Sequence, residues 1–152
     1  MKKITPFLWF DTQAEDAMNF YVSIFRNSMV GDMSRGPDGK VFSVSFVLDG
    51  QEFMGLNAGP QFKFNESISF FVNCEDQDEV DEYWNKLIAD GGEESMCGWC
   101  KDKFGLSWQI IPKQLGELMG DPDPAKAQSV TQAMLQMKKI IVADLQKAYD
   151  GV

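Results

Sequence analysis

Few side chains in this sequence have the type and spacing to do chemistry. Cys97-Gly-Trp-Cys100 has the spacing of a dithiol redox pair or of half a zinc site. A redox pair of that kind needs its first thiol at a helix N-terminus, which lowers the thiol pKa, and the surrounding pattern here reads as hairpin. Zinc needs four ligands, and with no histidine in the chain only Cys74 remains as a further thiol. The thiol chemistry left is a single candidate nucleophile, Cys97, while Trp99 either packs or lines the mouth of a cavity. The absence of histidine also removes the commonest general base and the commonest neutral-pH switch. The other polar residue of note is Gln109, which follows Trp108 near the end of a short apolar run.

The elements that must hold these residues read as follows. Lys101 to Gly105 is a polar turn, and Leu106 to Ile111 is a strand stopped at Pro112. Upstream, Ile4 to Phe10 suits a covered strand. Asp11-Thr12-Gln13 offers turn and cap chemistry before Ala14, Ala17, Met18, Tyr21, Ile24 and Phe25 recur at helical spacing. Ser28 to Met33 is a weaker strand, Gly36 to Gly39 a turn and Val41 to Phe46 an alternating strand. Asp49-Gly50 is a tight hairpin turn leading into Gln51 to Ala58. After a linker over Gly59 to Glu66 the order repeats: a strand at Ser67 to Asn73, a helix at Asp76 to Ile88 with Val80, Tyr83, Trp84, Leu87 and Ile88 on one face, then a stop at Gly91-Gly92. Two short strands flank Cys97-Gly98 before the closing strand.

The repeat can be set against itself. An ungapped offset of 63 places Phe7 on Phe70, Ala17 on Val80, Tyr21 on Trp84 and Ile24 on Leu87. An offset of 55 for the closing strands places Phe53 on Trp108 and Met54 on Gln109. The chain therefore predicts an α+β fold of two βαβββ modules, about 1–58 and 66–112, with a helical tail over about 114–151. In the tail, Asp121-Pro122-Asp123-Pro124 is a stiff connector that can cap a helix. Val130, Met134, Met137, Ile141, Leu145 and Tyr149 form an apolar stripe that calls for a partner.

The totals narrow the function classes. At 152 residues with 44% hydrophobic content the chain is one domain of ordinary size. A net charge of -9 opposes phosphate backbones and anionic membrane surfaces, so neither nucleic acid nor membrane is an expected partner. Pro6 to Phe10 is too short an apolar run for a secretory signal, and three cysteines do not make a disulfide framework; a cytoplasmic location is expected. The acidic run over Glu75 to Glu82 reads as the solvated face of the second long helix.

Two such modules resemble the vicinal oxygen chelate superfamily, the glyoxalase and bleomycin-resistance fold. The stretches TPFLWFDTQAEDAMNFY (Thr5 to Tyr21), DGQEFMGLNAGPQFKFNESISF (Asp49 to Phe70), CGWCKDKFGLSWQIIP (Cys97 to Pro112) and DPDPAKAQ (Asp121 to Gln128) are similar to its PhnB-like branch. Members of that branch often carry the name 3-demethylubiquinone-9 3-methyltransferase domain. Cys100 departs from the branch, which usually has an apolar residue such as Leu there. The resemblance implies curled mixed sheets forming cups, and metal-ligand positions that fall on Ser67 and Gln109 and, by the repeat, on Met54 and on Ile4 or Pro6. Those side chains lack the imidazole, carboxylate or thiolate that offsets the dehydration of a divalent ion, so no metal and no other cofactor is expected. A methyltransferase of the Rossmann type needs a glycine-rich turn after its first strand, and Asp11 to Ala14 has no glycine.

The expected site is a small-molecule cup lined by Pro6, Met54, Ser67, Ser69, Phe71, Trp99 and Gln109, unless bulky side chains fill it. Whether chemistry occurs there is left open, with Cys97 as the thiol candidate; an interaction module with a filled cavity is the other alternative. A homodimer is expected, because sheet edges need pairing and the tail stripe needs cover.

Overall fold

The computed structural model describes residues 2–152. It divides into two compact units, Met1–Phe64 and Asn65–Val152. The first holds β1 (Phe7–Phe10), α1 (Ala14–Ile24), β2 (Met29–Arg35), β3 (Val41–Leu48) and β4 (Gln51–Asn57). Its sheet has the order β1-β4-β3-β2, with β1 parallel to β4 and the other pairs antiparallel. Hydrophobic periodicity explains the layering: α1 buries Ala14, Ala17, Met18, Tyr21 and Ile24 over the sheet face formed by Leu8, Phe10, Val44, Phe46 and Phe53. The two-residue turn between β3 and β4 is Asp49-Gly50, both at positive φ (47° and 78°), the backbone that a right-twisted hairpin requires. The cap of α1 comes from elsewhere than the residues before it: Ala14 N–H donates to Asn57 Oδ1 at 2.9 Å, at the end of β4.

The second unit repeats the plan with β5 (Ser69–Cys74), α2 (Gln77–Leu87), β6 (Glu93–Glu94), β7 (Trp99–Lys101) and β8 (Ser107–Pro112), in the order β5-β8-β7-β6. Here too the first strand runs parallel to the last. Asp76 caps α2 by accepting from Glu79 N–H at 2.9 Å. Val80, Tyr83, Trp84 and Leu87 are buried on the sheet side, and the Trp84 indole N–H donates to Glu94 at 3.0 Å. The architecture is thus mixed α+β with two four-stranded mixed sheets, as the sequence pattern predicts.

Besides the α1 cap and the later start of β1, at Phe7 instead of Ile4, two details differ from the expectations. The repeat slips by one residue in its first strand. β1 pairs Phe7 with Met54, whereas β5 pairs Phe71 with Gln109, so Phe71 and not Phe70 occupies the place of Phe7. The helices keep the offset of 63, with Ala17, Tyr21 and Ile24 matched by Val80, Trp84 and Leu87. Because side chains alternate along a strand, one residue of slip exchanges the two faces: Phe71 is 53% exposed where the ungapped alignment places it on buried Leu8.

The second difference lies in the tail, which forms α3 (Lys113–Met119), α4 (Pro124–Met134) and α5 (Val142–Asp150). As expected, Pro124 opens α4 and Asp123 caps it. The stripe, however, is covered by its own unit. Val130, Ile140 and Leu145 pack with Ile111 and Leu115, and Met134, Met137 and Tyr149 lie against them. Ile140, fully buried, takes the place expected for Ile141. The interhelix segment is drawn in by Gln77, whose amide donates to Ile140 O at 3.0 Å and accepts from Val142 N–H at 2.7 Å. Lys139 pairs with Asp81 at 2.9 Å, and Gln77 and Lys139 together hold the Asp81 carboxyl below the usual carboxylate range. The tail therefore gives no argument for a second subunit.

Candidate functional site

Each sheet carries its own module's helix on one face; the other face has no helix of its module, and in the second unit the tail covers one end of it. In the first unit the helix-free face presents alternate residues of the strands: Phe7 beside Met54, with Ser45 on the other side of Met54. This face bounds a cavity of about 510 Å³ lined by, among others, Thr5, Ser43, Ser45, Glu52 and Met54. Pro6 sits just ahead of β1, and its carbonyl accepts from Met54 N–H at 2.9 Å. Ile4 is 85% exposed and outside the strand.

In the second unit the helix-free face has three cross-strand rows. Ser69, Ser107 and Lys101 make the first, Phe71, Gln109 and Trp99 the second, and Asn73 with Ile111 the third. Gln109 Nε2 donates to the Ser69 hydroxyl at 2.9 Å. Lys101 is ion-paired with Glu66. At the third row Ile111 is covered by the tail, so this end of the face is filled by Ile140 and its neighbours. Ser67 is not in the strand: it lies in the turn before β5, exposed, with its hydroxyl donating to Asn65 Oδ1 at 2.6 Å. Ser107, which shares the face through its pairing with Ser69, is 1% exposed and its hydroxyl has no partner. Alternation with Gln109 puts it on this face; its burial does not follow from the sequence pattern.

Cys97 occupies the turn between β6 and β7 at φ 59°, with its N–H donating to Met137 O at 2.7 Å. No helix begins there. Cys100 faces the helix side, paired in register with Trp108. Burial pushes its thiol up to about 12, with Asp102 and Glu94 adding to the effect. Burial does the same to Cys74, also to about 12. Both are protonated near neutral pH and behave as small hydrophobes.

The positions that the resemblance would assign to metal ligands hold a thioether at Met54, an amide at Gln109, a hydroxyl at Ser67 and no ligating side-chain atom at Ile4 or Pro6. That donor set does not fit a divalent ion. Among the described residues no three His, Cys, Asp or Glu side chains are grouped to hold one.

A family model described as 3-demethylubiquinone-9 3-methyltransferase matches residues 2–111. Among solved structures the chain is similar to one from Bacillus cereus described as a 3-demethylubiquinone-9 3-methyltransferase, PhnB protein. The two are 37% identical with a TM-score of 0.68, over 73% of this chain and 99% of that one. It is similar in fold to protein PA1353 from Pseudomonas aeruginosa, at 17% identity and a TM-score of 0.61 over 74% of this chain and 98% of that one. A third similar fold is the fosfomycin resistance protein FosX from Listeria monocytogenes, crystallised with Mn(II) and a dihydroxypropylphosphonic acid. It has 16% identity and a TM-score of 0.50 over 71% of this chain and 90% of that one. No curated protein matches. The family match ends at residue 111, so α3, α4 and α5 lie beyond it.

Proposed function

We propose that this chain, which belongs to the PhnB-like family described as 3-demethylubiquinone-9 3-methyltransferase, binds a small molecule on the helix-free faces of its sheets and uses no metal of the superfamily's kind to do so. The observation that carries this reading is the cavity of about 510 Å³ against β2, β3 and β4, with hydroxyls of Ser43 and Ser45 and the thioether of Met54 in its wall. Volumes of about 300–1,000 Å³ lined by apolar groups and a few polar ones are typical of small-molecule sites. The family's name does not describe the proposed activity. The turn from β1 to α1 has no glycine, the first N–H of α1 is already taken by Asn57 Oδ1, and Glu15 and Asp16 in its first turn oppose an anionic group there.

A ligand that binds only the native state raises the thermal midpoint, contributing about 2.7 kcal/mol at a hundredfold excess over Kd. A chemically diverse small-molecule panel followed by thermal unfolding is expected to give at least one saturable shift, and Met54→Trp, which fills the first cavity, is expected to abolish shifts that arise there. A panel without any saturable shift would sink the reading.

The protein is also proposed to be a homodimer. β1 and β5 stand at the edges of their sheets, and exposed edges invite pairing; Ile4 and Ile68 beside them are 85% and 66% exposed. Sedimentation equilibrium is expected to give twice the 17.2 kDa chain mass, and a single-chain mass at micromolar concentration would refute it.

A further inference from the structure

The helix-free face of the first sheet is ordered in cross-strand rows. Glu52 on β4, Val47 on β3 and Met29 on β2 make one row. Met54 and Ser45 make the next, which meets β2 at its irregularity over Gly31 and Asp32. Gly31 lets β2 close on Ser45 there, since a Cβ would lie 2.5 Å from Ser45 Oγ. The Ser45 hydroxyl accepts the Asp32 N–H at 2.9 Å, which fixes Asp32 in the wall of the cavity of about 510 Å³. Glu52 and Asp32 thus stand two strand spacings apart, about 9.6 Å, and one row apart, about 6.7 Å along the strands. Met29 and Met54, 61% and 41% exposed, hold the other two corners of that rectangle.

The charge of the lining decides what fits. Among the described residues it holds two carboxylates, Asp32 and Glu52, and no Lys or Arg. Neither carboxylate has a partner among the described residues. The serine hydroxyls are already engaged, Ser34 with Ser43 at 2.5 Å and Ser45 with the Asp32 N–H. Apart from the Thr5 hydroxyl, the polar side chains left free are therefore acceptors that carry negative charge. They flank thioethers, which are polarizable and adapt to ligands of varied shape. Lys2 and Lys3 precede Thr5 and lie outside the lining, and the net charge of -9 adds to the same field.

We infer that this cavity takes an organic cation, an ammonium head on an apolar body, and turns away anions. The head pairs with one carboxylate while the other keeps the potential negative across the cavity, and the body lies over Met29, Val47 and Met54. A bare metal ion is not served, because the two carboxylates find no third His, Cys, Asp or Glu among the described residues.

This inference rests on the small-molecule reading above, and the test separates the two. The full chain, labelled at its methionine methyl groups, is titrated with three compounds that share one body and differ in charge: phenylpropylamine, phenylpropanol and phenylpropionate. The Met29 and Met54 methyl resonances are followed by NMR. The amine is expected to move both saturably and to bind at least about threefold tighter than the alcohol, with the propionate weakest. Added salt should shrink the advantage of the amine, because exposed charges are screened. Glu52→Gln and Asp32→Asn keep the shape and remove the charge. Each is expected to weaken the amine about two- to fivefold and to leave the alcohol unchanged, and the double variant should bind the two alike. The cation assignment is overturned if the alcohol or the propionate binds as tightly as the amine, or if neither variant changes the amine. It is overturned too if the amine leaves these resonances unmoved while any other compound raises the thermal midpoint; in each of these cases the small-molecule reading stands. If no compound moves the resonances and none raises the midpoint, both fail.

Discussion

Asp102→Ala is expected to destabilise the protein by about 3–5 kcal/mol, among the largest effects of any single substitution here. Asp102 is 2% exposed. One carboxylate oxygen accepts the N–H groups of Phe104 and Leu106 at 2.8 and 3.1 Å, and the other accepts the Trp108 indole at 2.9 Å. Its backbone closes the same turn, with Asp102 N–H on Leu106 O and Gly105 N–H on Asp102 O. Hydrogen bonds to a charged group are worth about 1.5–3 kcal/mol each, and removing the acceptor leaves buried donors with nothing to bond. Asp102→Asn keeps one acceptor oxygen but turns an amide N–H toward the Trp108 N–H, so its loss should fall between wild type and Ala. Urea unfolding monitored by tryptophan fluorescence measures both. A loss below about 1 kcal/mol for Ala would show that the hairpin holding Trp99 and Gln109 does not depend on this carboxylate.

Leu145→Ala is expected to cost about 2–5 kcal/mol, the range for emptying a buried leucine site. Leu145 is fully buried against Ile111, Val130 and Ile140. A second readout distinguishes loosening of the tail from general destabilisation. Cys97 and Gly98 donate their N–H groups to Met137 O and Lys138 O, so hydrogen exchange at those two amides should accelerate more than at Ile110 in the centre of β8. Gly98 reports the same packing, since a Cβ there would lie 2.7 Å from Ile111 Cδ1 and 3.1 Å from Ile140 Cγ1. Unchanged exchange at 97 and 98, or a cost under about 1 kcal/mol, would mean that the tail is not fastened through this cluster.

Particular residues show how far the sequence carries. Asp49-Gly50 announced a two-residue hairpin because the turn's positive φ values suit few residues. Val80, Tyr83, Trp84 and Leu87 announced the buried side of α2 through their spacing alone. Pro112 and Asp123-Pro124 marked where β8 stops and α4 starts. Gln109 was legible as a residue on the helix-free face because its neighbours Trp108 and Ile110 are bulky and apolar, and alternation did the rest.

Ser67 marks where legibility ends. Nothing in its neighbourhood distinguishes a strand starting at Ser67 from one starting at Ser69, and Phe70 and Phe71 are the same residue type. Pairing of β5 with β8 decides it, by setting Phe71 and not Phe70 beside Gln109. The tail behaves in the same way. No Gly or Pro interrupts Leu135 to Ile141, so local chemistry does not say where α4 ends or whether Ile140 or Ile141 turns inward. Gln77 decides it from 63 and 65 residues away, through its bonds to Ile140 and Val142. What the sequence determined by itself was the kind and order of the elements and the apolar side of each helix, because periodicity and turn chemistry act within a few residues. Only the tertiary structure decided strand register, the bend that covers the tail and the burial of Ser107, because each depends on a partner far along the chain.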